Sequence, residues 1–140
     1  MKIVIACDSF KESLSAGAVV DTIARSFRLV FPEAAVVCCP VADGGEGTVA
    51  ALVDATGGRI VETTVTGPLG GPVPSFFGIL GGDGRTAVIE TAAAAGLELL
   101  ESRERDVGRA TTRGVGALIL PALDAGWRHL CLGLGGSACD

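Results

Sequence analysis

The sequence predicts an α/β fold, a Rossmann-like parallel sheet with an inserted β-rich excursion. Short apolar runs rich in β-branched residues at 3–6 and 35–39 flank a segment of helical periodicity, the pattern of a βαβ unit. Glycine makes up 21 of 140 residues without a collagen period, which points to many tight strand–helix turns. Between residues 59 and 90, three β-like runs are joined by glycine turns instead of helices, as in an antiparallel meander.

Taken in order, residues 3–6 read as a buried parallel strand. Ser13 or Ser15 caps a helix running to about residue 31, where Pro32 ends it. Val20, Ile23, Ala24, Phe27, Val30 and Phe31 recur at helical spacing and form one buried stripe. After the second strand, residues 48–56 make a short helix closed by Gly57 and Gly58. The meander follows at 60–66, 73–80 and 86–91, with turns at 67–71 and 81–84. Residues 97–106 turn from apolar to charged, a solvated loop or surface helix. Thr111 or Thr112 caps a last helix to about residue 125, in which Pro121 costs about 3 kcal/mol unless the helix kinks or breaks. Residues 129–134 are again a buried strand. The expected organisation is a Rossmann-like βαβ segment over 1–58 and a β-rich excursion over 59–97 that starts a second domain. Residues 98–140 then form a helix, a strand and a glycine loop returning to the parallel sheet. The sequence stops where a helix should cover that strand, as in an incomplete, interrupted domain.

Composition removes several function classes. A net charge of −5 and scattered basic residues argue against a nucleic-acid partner. No apolar run approaches the ~18 residues that span a bilayer, and the run at the start is too short for a signal peptide. Cys7, Cys38, Cys39, Cys131 and Cys139 form no C-x-x-C pair and fit reduced, buried thiols in a cytoplasmic protein. His129, the sole histidine, starts a strand at the edge away from ligands and reads as structural.

The chemistry concentrates in residues 41–48, Val-Ala-Asp-Gly-Gly-Glu-Gly-Thr. Glycines let a backbone approach a ligand and aim N–H groups at an anion. Asp43 and Glu46 would repel a bare phosphate, but fit if a divalent cation bridges them to it or if one accepts a proton from an attacking hydroxyl. A plain turn into a helix N-terminus would use the same residue types. Asp8, Ser9 and Lys11 follow the first strand, and ligands of βαβ units collect at the carboxyl ends of strands. Both loops are therefore expected on one sheet edge. Glu90 and Thr91, at a strand end, either face a site or, in the case of Glu90, form an exposed or capping carboxylate. A third glycine loop occupies residues 133–138, Gly-Leu-Gly-Gly-Ser-Ala. No Walker A pattern and no complete Rossmann fingerprint is present.

Three blocks together resemble the bacterial glycerate kinase family: residues 8–16 (Asp-Ser-Phe-Lys-Glu-Ser-Leu-Ser-Ala), 41–48 and 133–138. Residues 66–70 and Thr111-Thr112 support it, and the likeness runs over essentially the whole chain. The resemblance implies two α/β domains with a site in the cleft between them, and phosphorylation of glycerate by ATP with Mg²⁺ in the cytoplasm. It implies that Lys11 binds a phosphate or the substrate carboxylate. It further implies that Asp43 and Glu46 hold magnesium or that one of them serves as general base, and that Asp8, Ser9, Gly44, Gly45, Gly47, Thr48, Gly135, Gly136 and Ser137 contact substrate or phosphate. Three departures stand out: Cys7 replaces a proline usual before Asp-Ser-Phe-Lys, Pro121 interrupts a helix, and Cys139-Asp140 alter the end of the third loop. Two alternatives are a non-catalytic module that binds an anionic metabolite or nucleotide, and an inactive fragment of the kinase.

Overall fold

The computed structural model describes residues 1–11, 13–82 and 84–139. Glu12 of the N-terminal signature, Asp83 of a glycine turn and Asp140 of the third loop lie outside the described residues. The fold is α/β, and the chain divides into two compact units, Met1–Asp43 and Gly44–Asp140.

In the first unit, β1 (Lys2–Cys7) and β2 (Ala35–Pro40) pair in parallel, Ile5 opposite Cys38, with helix α1 (Ala16–Val30) as the crossover. Ser15 caps α1, its hydroxyl accepting from Ala18 N–H at 3.3 Å. Ile5, Val20 and Ala24 form the small core, with Ile3, Cys7, Ile23 and Val36 packed on it. The expected stripe holds only for the first half of α1. Phe27, Val30 and Phe31 are 38%, 69% and 43% exposed, because a two-stranded sheet is too narrow to cover fifteen helical residues. Val4 is likewise exposed, so β1 is buried on one face only.

The second unit starts with α2 (Thr48–Thr56) and continues through β3 (Arg59–Thr66), β4 (Pro72–Ile79) and β5 (Thr86–Glu90). These three strands pair antiparallel in sequence order, the meander expected. A one-turn helix α3 (Ala92–Ala95), two 3₁₀ turns (Leu97–Leu99 and Ser102–Glu104), helix α4 (Arg113–Asp124) and β6 (His129–Gly133) complete it. The pairing of β6 differs from the expected return to the first sheet: it lies parallel to β5, giving the order β3-β4-β5-β6. Its apolar residues suit any parallel neighbour, and the crossover from β5 through α4 supplies the length a parallel step needs.

The core lies on both faces of this sheet. Phe77, Ile89, Leu118 and Ala122 are at most 1% exposed and join α4 to one face. Val49, Val53 and Val88 join α2 to the other. Helix α4 runs through Pro121 without a break. The ring sits one turn from the end, and the Pro121 carbonyl still accepts from Ala125 N–H at 3.0 Å. None of the five thiols is fully buried, contrary to expectation, and Cys38 and Cys131 are exposed. Cys131 lies on β6, an edge strand, and Cys38 on a strand of the narrow sheet.

Candidate functional site

In the first unit, the parallel ladder continues one step past the strands, Val41 N–H donating to the Cys7 carbonyl at 3.1 Å. The chain after β1 and the chain after β2 therefore leave from the same carboxyl edge. This brings Asp8, Ser9 and Lys11 to the edge at which Asp43 follows β2. Asp8 and Lys11 are exposed, as is Asp43. The loop is held locally. Asp8 Oδ1 accepts from Ser9 N–H at 2.6 Å. Phe10 and Leu14 form an isolated antiparallel bridge, which places Lys11 in a tight turn.

In the second unit, the acidic loop lies directly on the third glycine loop. A Cβ added to Gly133 would stand 2.6 Å from the Gly44 carbonyl oxygen, and one added to Gly135 would stand 2.7 Å from Gly45 N. Glycine at these positions is what permits backbone to lie on backbone. The Glu46 carboxylate reaches over the same loop, its Oε2 being 3.0 Å from where a Gly136 Cβ would be. The third loop is tied in turn to α3, with Leu97 N–H donating to the Gly136 carbonyl and Ala138 N–H to the Ala95 carbonyl. Gly44, Gly45, Glu46, Gly135 and Gly136 are thus brought together at the carboxyl end of β6.

Two of the expected phosphate donors are engaged internally. Gly44 N–H donates to the Thr48 hydroxyl at 3.1 Å, and Gly47 N–H donates to Glu90 Oε1 at 3.3 Å. Thr48 is buried. Glu90 itself caps α2 and is not exposed: only 2% of it reaches solvent, and its Oε2 accepts from Val49 N–H at 2.8 Å. Burial pushes its carboxyl above the ordinary carboxylate range, against the opposing pull of the Val49 and Gly47 N–H groups; nearby Glu46 raises it further.

Beside the loops, a groove of about 550 Å³ is lined by Thr91, Thr112, Val115, Leu134, Gly135 and Ser137, among others. It lies at the carboxyl ends of β5 and β6 and at the start of α4, where open α/β sheets receive ligands. Thr112 is the N-cap of α4 but makes no side-chain cap bond. Instead the Thr111 hydroxyl accepts from Arg113 N–H at 3.2 Å. In the sequence Thr112 marks a helix start and a supporting block of the resemblance, but nothing local joins it to Ser137, with which it lines this groove. Among the described residues, no group of three or more His, Cys, Asp or Glu is arranged to hold a metal ion.

The sequence model of the glycerate kinase family matches residues 3–140. The chain belongs to that family. It is 62% identical over its whole length to a glycerate kinase from Bacillus subtilis (strain 168), covering 36% of that protein. It is 55% identical, again over its whole length, to a glycerate 2-kinase from Escherichia coli (strain K12), covering 36% of it. A crystal structure described as a glycerate kinase 2 from Salmonella typhimurium LT2 matches with a TM-score of 0.79 at 55% identity, over 99% of this chain and 37% of that one. The chain therefore spans little more than a third of the length of these glycerate kinase relatives. No helix of the described residues is long and apolar enough to cross a membrane.

Proposed function

We propose that this chain carries phosphate- and acceptor-handling loops of an ATP- and Mg²⁺-dependent glycerate kinase acting in the cytoplasm. The observation that carries this reading is the seating of the acidic loop on the third glycine loop, at the carboxyl end of a parallel strand, in a member of this family. Bound ATP supplies the γ-phosphoryl group, and Mg²⁺ neutralises its charge. Such transfer needs alignment and charge compensation more than covalent help from the protein.

Lys11, exposed in its turn, offers a mobile ammonium to a phosphate or to the glycerate carboxylate. Asp43 and Glu46 are hard oxygen donors. Magnesium is typically held by one or two carboxylates together with water and phosphate oxygens, a role that these two side chains would fill. The carboxylate that does not hold the metal accepts the proton of the glycerate hydroxyl. Gly44, Gly45, Gly47 and Thr48 shape the turn that presents Glu46, while Gly135 and Ser137 border the groove offered to ligand and Gly136 lies under the Glu46 carboxylate. Asp8 and Ser9 order the loop that carries Lys11.

ADP release on addition of glycerate, followed by a coupled assay, tests the reading. Lys11→Ala and Asp43→Asn are each expected to lower the rate at least ~100-fold, the scale of one positioned catalytic group. Near-normal turnover in both variants rejects these roles. Tight calorimetric binding of ATP with no phosphoryl transfer identifies a binding module instead.

A further inference from the structure

Helix α2 starts without an acceptor of its own. Its N-cap is Gly47, in the left-handed region at φ 87°, with no side chain to offer, and its first turn contains no acidic residue. The Thr48 hydroxyl is turned back to Gly44 N–H. A helix start leaves several N–H groups unsatisfied, and the usual remedy is a local Ser, Thr, Asp or Asn. Here the acceptor comes from the end of β5. Glu90 places one carboxylate oxygen on Gly47 N–H and the other on Val49 N–H. This is the position that phosphate takes in loops that cradle it on a helix N-terminus. Glu46 is bonded to the residue so held, and its carboxylate lies over Gly136.

We propose that Glu90 is a positioning residue, whose carboxylate stands in for a bound anion at the start of α2 and so fixes Glu46 over the third glycine loop. For turnover, this rests on the phosphotransfer reading above; for the folded loop, it does not. One consequence is that ligand phosphate is kept away from the start of α2. The acidic loop then acts through Glu46 and not through the N–H groups of Gly47 and Val49.

The test compares the wild-type chain with Glu90→Ala and Glu90→Gln. Alanine vacates the anion position. Sodium formate is therefore expected to raise the melting temperature of Glu90→Ala saturably, beyond sodium chloride at equal ionic strength, and to leave the wild type and Glu90→Gln unmoved. Glutamine fills the space but sets an N–H₂ against a backbone donor, so the Val49 amide is expected to exchange roughly tenfold faster in Glu90→Gln. A formate response no larger than chloride, or an unchanged Val49 exchange rate, overturns the proposal. If Glu90→Ala does not fold, the exchange rate in Glu90→Gln decides. In the turnover assay, Glu90→Gln is expected to lower kcat with little change in KM for glycerate, and wild-type kcat in this variant overturns the catalytic half. A wild-type protein without any turnover removes the phosphotransfer reading, while formate and exchange still decide the role of Glu90.

Discussion

In Met1–Asp43, the loop bearing Lys11 is shaped by neighbours a few residues away, Ser9 on Asp8 and Phe10 on Leu14. In Gly44–Asp140, the loop bearing Glu46 is shaped by residues more than forty positions downstream, Glu90 and the glycines at 133–136. The cores differ in the same direction. The first unit encloses Ile5, Val20 and Ala24 behind two strands, whereas the second packs Phe77, Ile89 and Leu118 on one face of four strands and Val49, Val53 and Val88 on the other. A loop with local hydrogen bonds presents an exposed, mobile cation at little cost. A loop seated on distant backbone can hold a carboxylate in one place, which is what a metal ligand or base requires.

The largest expected effect contrasts the cores. Leu118→Ala and Ile5→Ala each remove a buried aliphatic side chain, and such changes cost about 2–5 kcal/mol. Leu118, with no exposure, is expected near the top of that range, and Ile5, with a core that can collapse, near the bottom; urea denaturation measures both. Equal losses would remove the distinction. Next, Gly135→Ala forces a methyl group against the Gly45 backbone and is expected to destabilise by roughly 1–3 kcal/mol in the same measurement. A neutral result would mean that the two loops do not rest on each other.

A smaller effect is in pH dependence. Because the Glu90 pKa is raised by burial, the native state keeps this proton to higher pH than the unfolded chain does. Its contribution is fully present below 4.5, the unfolded value, and is lost as pH rises through the raised native value. Glu90→Gln is expected to flatten that decline, seen as a smaller fall in melting temperature across the same window. The smallest change in stability is that of Lys11→Ala, within about 0.5 kcal/mol, since the side chain is exposed. A larger loss would show that Lys11 supports the fold.

The same contrast explains what could be read from the sequence. Helix α1, its Ser15 cap and the parallel pairing of β1 with β2 follow from nearby apolar spacing and from Pro32. The meander follows from its glycine turns, and the end of α2 from Gly57. Residues 43–48 stand out through composition alone. What escaped depends on distant placement. The apolar run of β6 announces a strand but not its neighbour, and Glu90, readable as a capping carboxylate, gives no sign of which helix it caps or that it is buried. The expected burial of Phe27, Val30 and Phe31 assumed a wider sheet than β1 and β2 provide.

The remote capping of α2 also bears on the order of assembly during synthesis. A nascent chain that has emerged only as far as Ile79 already contains both acids and every glycine of their loop, yet lacks the oxygen atoms that close the helix start. Ordering of that loop waits for β5, and its seat on Gly133 and Gly135 waits for the second parallel strand. A segment written early in the polypeptide is thus completed late, once β5 and β6 have both been made.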